Sequence, residues 1–153
     1  MGVGHVPQEP IRAEGTRAEL QGRERRRVAD RRTSRHRQAL AAQRLARARW
    51  AEELVARWYR QHGFDILAMN WRMYGGELDI VARRGNLLVV CEVKARANNA
   101  FGSPAEALTP RKQQLVRRAG RAFVDEQGLT RCRVRYDLAC VTGTQLEVHV
   151  DAF

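Results

Sequence analysis

Gly76-Glu77-Leu78-Asp79-Ile80, and beyond a Gly85-Asn86 turn the run Leu87-Leu88-Val89-Val90-Cys91-Glu92-Val93-Lys94, decide how this chain folds. Two apolar runs of strand length on either side of an Arg84-Gly85-Asn86 turn signal predict a β-hairpin. Residues two apart on an extended strand share a face. Glu77 and Asp79 are therefore expected to project together, as are Glu92 and Lys94, while Leu78, Ile80, Cys91 and Val93 turn the other way. A solvated salt-bridge ladder is the plain alternative for such a pattern. Against it, Val89, Val90, Cys91 and Val93 are apolar in both registers, which predicts a strand buried on both sides. Charges at the end of such a strand are costly unless paired or bound to a metal.

Upstream, Arg35 to His62 is rich in Ala, Gln, Leu and Arg and free of Gly and Pro, and Gly63 is a natural stop. Leu40, Leu45, Ala48, Leu54, Val55 and Trp58 roughly follow a 3.6-residue period, which predicts a helix carrying Glu52 on its flank. Phe64 to Arg72 follows as a strand, leading into the Met73-Tyr74-Gly75-Gly76 turn. Downstream, Asn98 to Ser103 forms a loop of small residues. Thr109-Pro110 marks a helix start, with Thr as N-cap and Pro at the first helical position. Leu115, Ala119, Ala122 and Phe123 make its apolar stripe, against a basic face of Arg111, Lys112, Arg117, Arg118 and Arg121. Val134 to Val141 and Leu146 to Val150 complete the order helix, three strands, helix, two strands. That order predicts an α/β fold with a mixed sheet flanked by helices.

The chain has 153 residues, room for one ordinary domain, and a formal net charge of +11. Met1 to Trp50 holds 13 Arg against 5 acids; the remainder holds 15 basic residues against 12 acids. Residues 1–34 contain few large apolar side chains and are expected to be a disordered basic arm, with transient helix from Arg17 to Arg32. Residues 35–153 are expected to form the folded domain. An excess of positive charge favours polyanions, nucleic acid first. No apolar run approaches the ~18 residues of a membrane span. The start of the chain lacks the apolar core of a secretory signal. Cys91, Cys132 and Cys140 have no paired ligand spacing and are expected to be reduced structural thiols, which fits a cytoplasmic protein. The histidines are scattered, no Ser-His-Asp or Cys-His set stands out, and no Gly-rich phosphate loop precedes a helix. Trp50, Trp58 and Trp71 are expected mainly in the core.

Carboxylates and an ammonium on two adjacent strands suit the binding of a divalent cation and the hydrolysis of a phosphodiester. Asp79 and Glu92 are the candidate ligands of Mg²⁺ or Mn²⁺, with the backbone carbonyl of Val93 as a third. Lys94 is placed to position the attacking water or to offset charge on phosphorus. Glu52 is expected to approach the same ion directly or through water, and Glu77 to support the site.

Glu52, Gly76-Glu77-Leu78-Asp79, Glu92-Val93-Lys94 and Thr109-Pro110-Arg111-Lys112-Gln113 form a series that resembles the YraN family of predicted bacterial endonucleases. The resemblance runs from about Trp50 to Phe153 and includes Asn70-Trp71-Arg72, Phe101-Gly102 and Asp151-Ala152-Phe153. Ala51 departs from it, standing where the family usually has Gly, and the Arg-rich segment up to about Arg47 has no counterpart. The resemblance implies a restriction-endonuclease-like fold, similar to Holliday junction resolvases, in which Asp79, Glu92 and Lys94 form the catalytic core and Glu52 is the helix-borne acid. It implies that Gln113 lies near the site, and a homodimer by analogy. The expected activity is metal-dependent cleavage of nucleic acid, DNA ahead of RNA, read through backbone or structure, with Arg111, Lys112, Gln113, Arg117 and Arg118 on the nucleic acid and no small-molecule substrate. A non-catalytic nucleic-acid-binding module of repair or recombination is the alternative. A third is a protein-interaction domain with a structural ion-pair network.

Overall fold

A computed structural model describes residues 17–96 and 108–153. Their elements are helix α1 (Arg17–Gln61), strands β1 (Asp65–Met73), β2 (Gly76–Arg84) and β3 (Leu87–Arg96), helix α2 (Pro110–Glu126), and strands β4 (Arg133–Thr142) and β5 (Gln145–His149). The expected α/β class and mixed sheet are borne out. The loop expected at Asn98–Ser103, with Phe101-Gly102, lies outside the described residues. No described helix is long and apolar enough to cross a membrane.

The chain divides into two units, Met1–Ala42 and Gln43–Phe153. In the first, residues 17–42 are helical and every one of them is exposed. This corrects the expected helix start at Arg35, since helix reaches back to Arg17 through the stretch where transient helix was expected; the arm's residues 1–16 lie outside the described residues. A search for a buried stripe overlooks it, because no stripe exists. Arg, Ala, Glu and Gln favour helix through low side-chain entropy cost rather than through burial.

In the second unit the five strands lie in the order β1-β2-β3-β4-β5. The pairs are antiparallel except β3–β4, whose parallel register runs from Leu87↔Arg133 to Arg96↔Thr142. A parallel pair requires a crossover, and α2 supplies it. Thr109 caps α2 as expected, its hydroxyl accepting from Lys112 N at 3.3 Å, with Pro110 following. β3, the most apolar strand, is central.

Each face of the sheet carries its own core. Ala51, Val55, Ala56 and Tyr59 of α1 pack with Ile80, Ala82, Val89, Cys91, Ala139 and Val141. On the other face Val116, Ala119 and Phe123 of α2 pack with Leu78, Val81, Leu88 and Val90. The buried stripe of α2 is thus Val116, Ala119, Gly120 and Phe123, with Leu115 and Ala122 half-buried at its edges. Trp71 sits edge-on to Phe123 at 5.4 Å and Trp58 flanks the α1 side, whereas Trp50 is exposed.

Strict alternation fails at one level of the β1–β2 ribbon. Met69 and Ile80 face the α1 side, but Trp71 and Leu78 face the α2 side. The residues between them are Asn70, whose φ of +51° is left-handed, and Asp79. Asn tolerates that backbone better than most residues because its amide makes local hydrogen bonds. The expectation that Leu78 and Ile80 share one side is corrected here: they face opposite sides of the sheet, across from the left-handed Asn70 of β1.

Behind the sheet a second buried acid ties the unit together. Asp137 is fully buried and accepts from Tyr59 Oη at 2.8 Å, from Arg135 Nε and Nη2 at 2.9 and 2.8 Å, and from Asp151 N at 2.9 Å. Burial pushes the Tyr59 hydroxyl far up, so it remains a donor. Tyr59→Phe should cost about 1–2 kcal/mol of stability and Asp137→Ala about 3–5, since the latter leaves Arg135 and Tyr59 without their acceptor. Urea midpoints at pH 7 measure both; a loss on Asp137→Ala no larger than on Tyr59→Phe would contradict the role given to this acid.

Candidate metal centre

β2 and β3 pair from Arg84↔Leu87 as far as Ile80↔Cys91 and no further. Beyond that point the strands part, and the peptide N–H of Val93 needs an acceptor that β2 no longer supplies. Asp79 supplies it through its side chain, Oδ2 accepting from Val93 N at 2.8 Å. The carboxylate thereby fills the place of a ladder carbonyl and is fixed beside Glu92.

Glu92 is buried, with 3% of its side chain exposed. Its Oε1 accepts from Lys94 Nζ at 2.7 Å and lies 3.2 Å from Lys112 Nζ. Its Oε2 is buried and has no partner. Burial, and next the charge of Glu92, raise Asp79 to about 7; the Val93 N–H and Lys112 act in the opposite sense, and Glu52 adds to the rise. Glu52 itself accepts from Asn70 Nδ2 at 2.7 Å.

Asp79, Glu92 and Lys94 are therefore brought together, with Glu52 within electrostatic reach of Asp79. Lys112 belongs to this cluster and not to the outward basic face of α2, which corrects its expected place. The first turn of the helix, set by the Thr109 cap, aims it at Glu92. Glu77 does not join; it lies 3.7 Å from Arg72 on the exposed ribbon. Gln113 is drawn back to the carbonyl of Leu108, to which its Nε2 donates at 3.1 Å. Arg111 and Arg117 are exposed, and Arg118 donates to the carbonyl of Gly75 at 2.8 Å. Asn70 was missed by pattern reasoning; its place in Asn70-Trp71-Arg72, level with the acids, was the available signal.

Among the described residues no three His, Cys, Asp or Glu side chains gather closely enough to hold one ion. The protein side offers a carboxylate pair. Its fit to a hard divalent cation is good on two counts. One carboxylate oxygen is buried without a partner, and the charge of Glu92 raises the cost of ionising Asp79, which a cation would reverse. Mg²⁺ is suited to such a pair, since it commonly keeps several waters and takes one or two carboxylates.

A family model described as Uncharacterised protein family UPF0102 matches residues 51–141. A UPF0102 protein of Acidothermus cellulolyticus is 50% identical over 91 residues, covering 60% of this chain and 69% of that one. Another, of Syntrophotalea carbinolica, is 39% identical over 111 residues, 72% of this chain and 90% of the relative. A third, of Rhodococcus jostii, is 38% identical over 117 residues, 73% and 99%.

The raised Asp79 has a sign that can be tested. Folded, Asp79 keeps its proton to about pH 7, whereas an unfolded aspartate releases it near pH 4. The folded state holds the extra proton between these values, so this contribution to stability is complete below about pH 4 and is lost as pH rises through about 7. With chelator present, Asp79→Asn should therefore be more stable than the parent at pH 8, by up to a few kcal/mol, and the two should converge toward pH 4. Denaturant titrations across that range measure it; a difference independent of pH would remove the basis for the shift.

Proposed function

Because the chain belongs to the uncharacterised protein family UPF0102 and carries a buried acid pair with two lysines, we propose that it is a metal-dependent nuclease hydrolysing phosphodiester bonds, DNA ahead of RNA. The observation that carries this reading is Glu92 Oε2, a buried carboxylate oxygen without a partner beside an aspartate whose ionisation is held back to about pH 7. A structural ion pair would be selected to satisfy both oxygens.

Asp79 and Glu92 would hold Mg²⁺ or Mn²⁺, with the carbonyl of Val93 beside them. The bound ion would neutralise charge on the phosphate and lower the pKa of a water. Val93 N fixes the orientation of Asp79, so that ligand is set before any ion arrives. Lys94 Nζ donates to Glu92 Oε1 at 2.7 Å, and from that strand would position the attacking water or offset charge on a phosphate. Glu52, held by Asn70, takes a supporting place. Nucleic acid as the polyanion is supported by the net charge of +11 and by Arg111 and Arg117 standing exposed on α2.

One observation favours the alternative of a metal-indifferent binding module: Lys94 and Lys112 already balance Glu92 without any ion. A panel of branched, single-stranded and duplex substrates separates the two. Glu92→Gln and Lys94→Ala should each lose cleavage by at least about a hundredfold in Mn²⁺, the scale of losing a general acid–base or charge-stabilising group, with DNA binding retained. Mn²⁺ should raise the parent's melting temperature more at pH 8 than at pH 5, and Glu92→Gln should abolish that rise. Variants that cut as well as the parent, or a parent that binds DNA and never cuts, would leave only the binding module.

A further inference from the structure

The tip of the β1–β2 ribbon has no part in the chemistry above. Between it and the start of α2 lies an open groove of about 420 Å³, lined by Arg72, Met73, Gly76, Glu77, Lys112 and Leu115. Lys112 is common to the groove and to the acid pair, since its Nζ lies 3.2 Å from Glu92 Oε1. The groove therefore leads to the site. Its acid, Glu77, is already offset by Arg72 at 3.7 Å, and 75% of the Arg72 side chain is exposed.

Tyr74, in the turn between the groove-lining Met73 and Gly76, is 99% exposed. A large aromatic ring with nothing against it is usually left on a loose loop, but this turn is clamped. Gly75 has φ +76°, and its carbonyl accepts from Arg118 Nη2 at 2.8 Å. The positive φ favours glycine at this position, and a Cβ there would come within 2.7 Å of that same nitrogen and displace it. Arg118 is thus a brace for the turn and is committed to a backbone carbonyl. A free ring on a fixed backbone loses little conformational freedom when something stacks on it.

Resting on the nuclease reading of Asp79 and Glu92, we propose that this groove is a subsite for an unpaired nucleotide. Tyr74 stacks on its base, and Arg72 and Lys112 take its phosphates, which leads the adjoining phosphodiester toward the acid pair. The substrate class is then nucleic acid with single-stranded character, a tail, gap or branch, rather than continuous duplex. Within a duplex the base faces are covered by their neighbours, and a side chain can stack only where a base is exposed.

The test is fluorescence anisotropy of the full chain with labelled single-stranded and fully paired oligonucleotides, in chelator so that no cleavage intervenes. The parent should prefer the single strand. Tyr74→Ala should weaken single-strand binding by about tenfold, the scale of one base–aromatic stack, with less than about a twofold change on the duplex. Tyr74→Phe should restore the parent's behaviour. Arg72→Ala should weaken both and flatten the salt dependence. If the parent binds both forms and Tyr74→Ala binds them as the parent does, or loses both equally, the subsite is refuted while the nuclease reading stands on its own variants. If the parent binds neither form, both are refuted.

Discussion

The hydrogen bond from Val93 N to Asp79 Oδ2 is the constraint on which the site depends. Two paired strands have no room between them for a ligand, and two strands that part leave peptide groups unsatisfied. Here the parting occurs where a carboxylate can stand in for the missing carbonyl. One contact therefore closes the sheet ladder and fixes Asp79 beside Glu92. Burial does the remainder, since the same enclosure that holds Asp79 up to about 7 strengthens every charge interaction near it.

The two buried acids of the sheet are treated in opposite ways. Asp137 has both oxygens satisfied, by a tyrosine, an arginine and a peptide N–H, and it welds α1, β4 and the final turn into one unit. Glu92 gathers two ammonium groups on one oxygen and leaves the other bare. Ion pairs of the first kind are architecture. The incompleteness of the second is the feature on which the proposed metal site rests.

Much of this was legible in the residues. Glu-x-Asp and Glu-x-Lys on successive apolar runs located Asp79, Glu92 and Lys94, and Thr109-Pro110 located the start of α2. Two things were not legible, for different reasons. Face alternation assumes an unbroken strand, so neither the left-handed backbone at Asn70 nor the separation of Leu78 from Ile80 could be read from the period of two. Lys112 was counted with its basic neighbours on α2 because a helical wheel cannot show which strand lies opposite. The first turns of α1, from Arg17, were expected only as transient helix, because propensity acts without any apolar signature.

The parallel β3–β4 register also has a temporal side. β1, β2 and β3 are joined by short turns and pair with sequence neighbours, as do β4 and β5, whereas β3 meets β4 only after the whole of α2 has been laid down. Contacts between distant parts of a chain form late because their loop must first be closed. Asp79 and Glu92 belong to the early meander, and Lys112 arrives with the crossover. The nascent sheet thus holds Asp79 and Glu92 with Lys94 alone as their countercharge until the last large closure adds Lys112 beside Glu92.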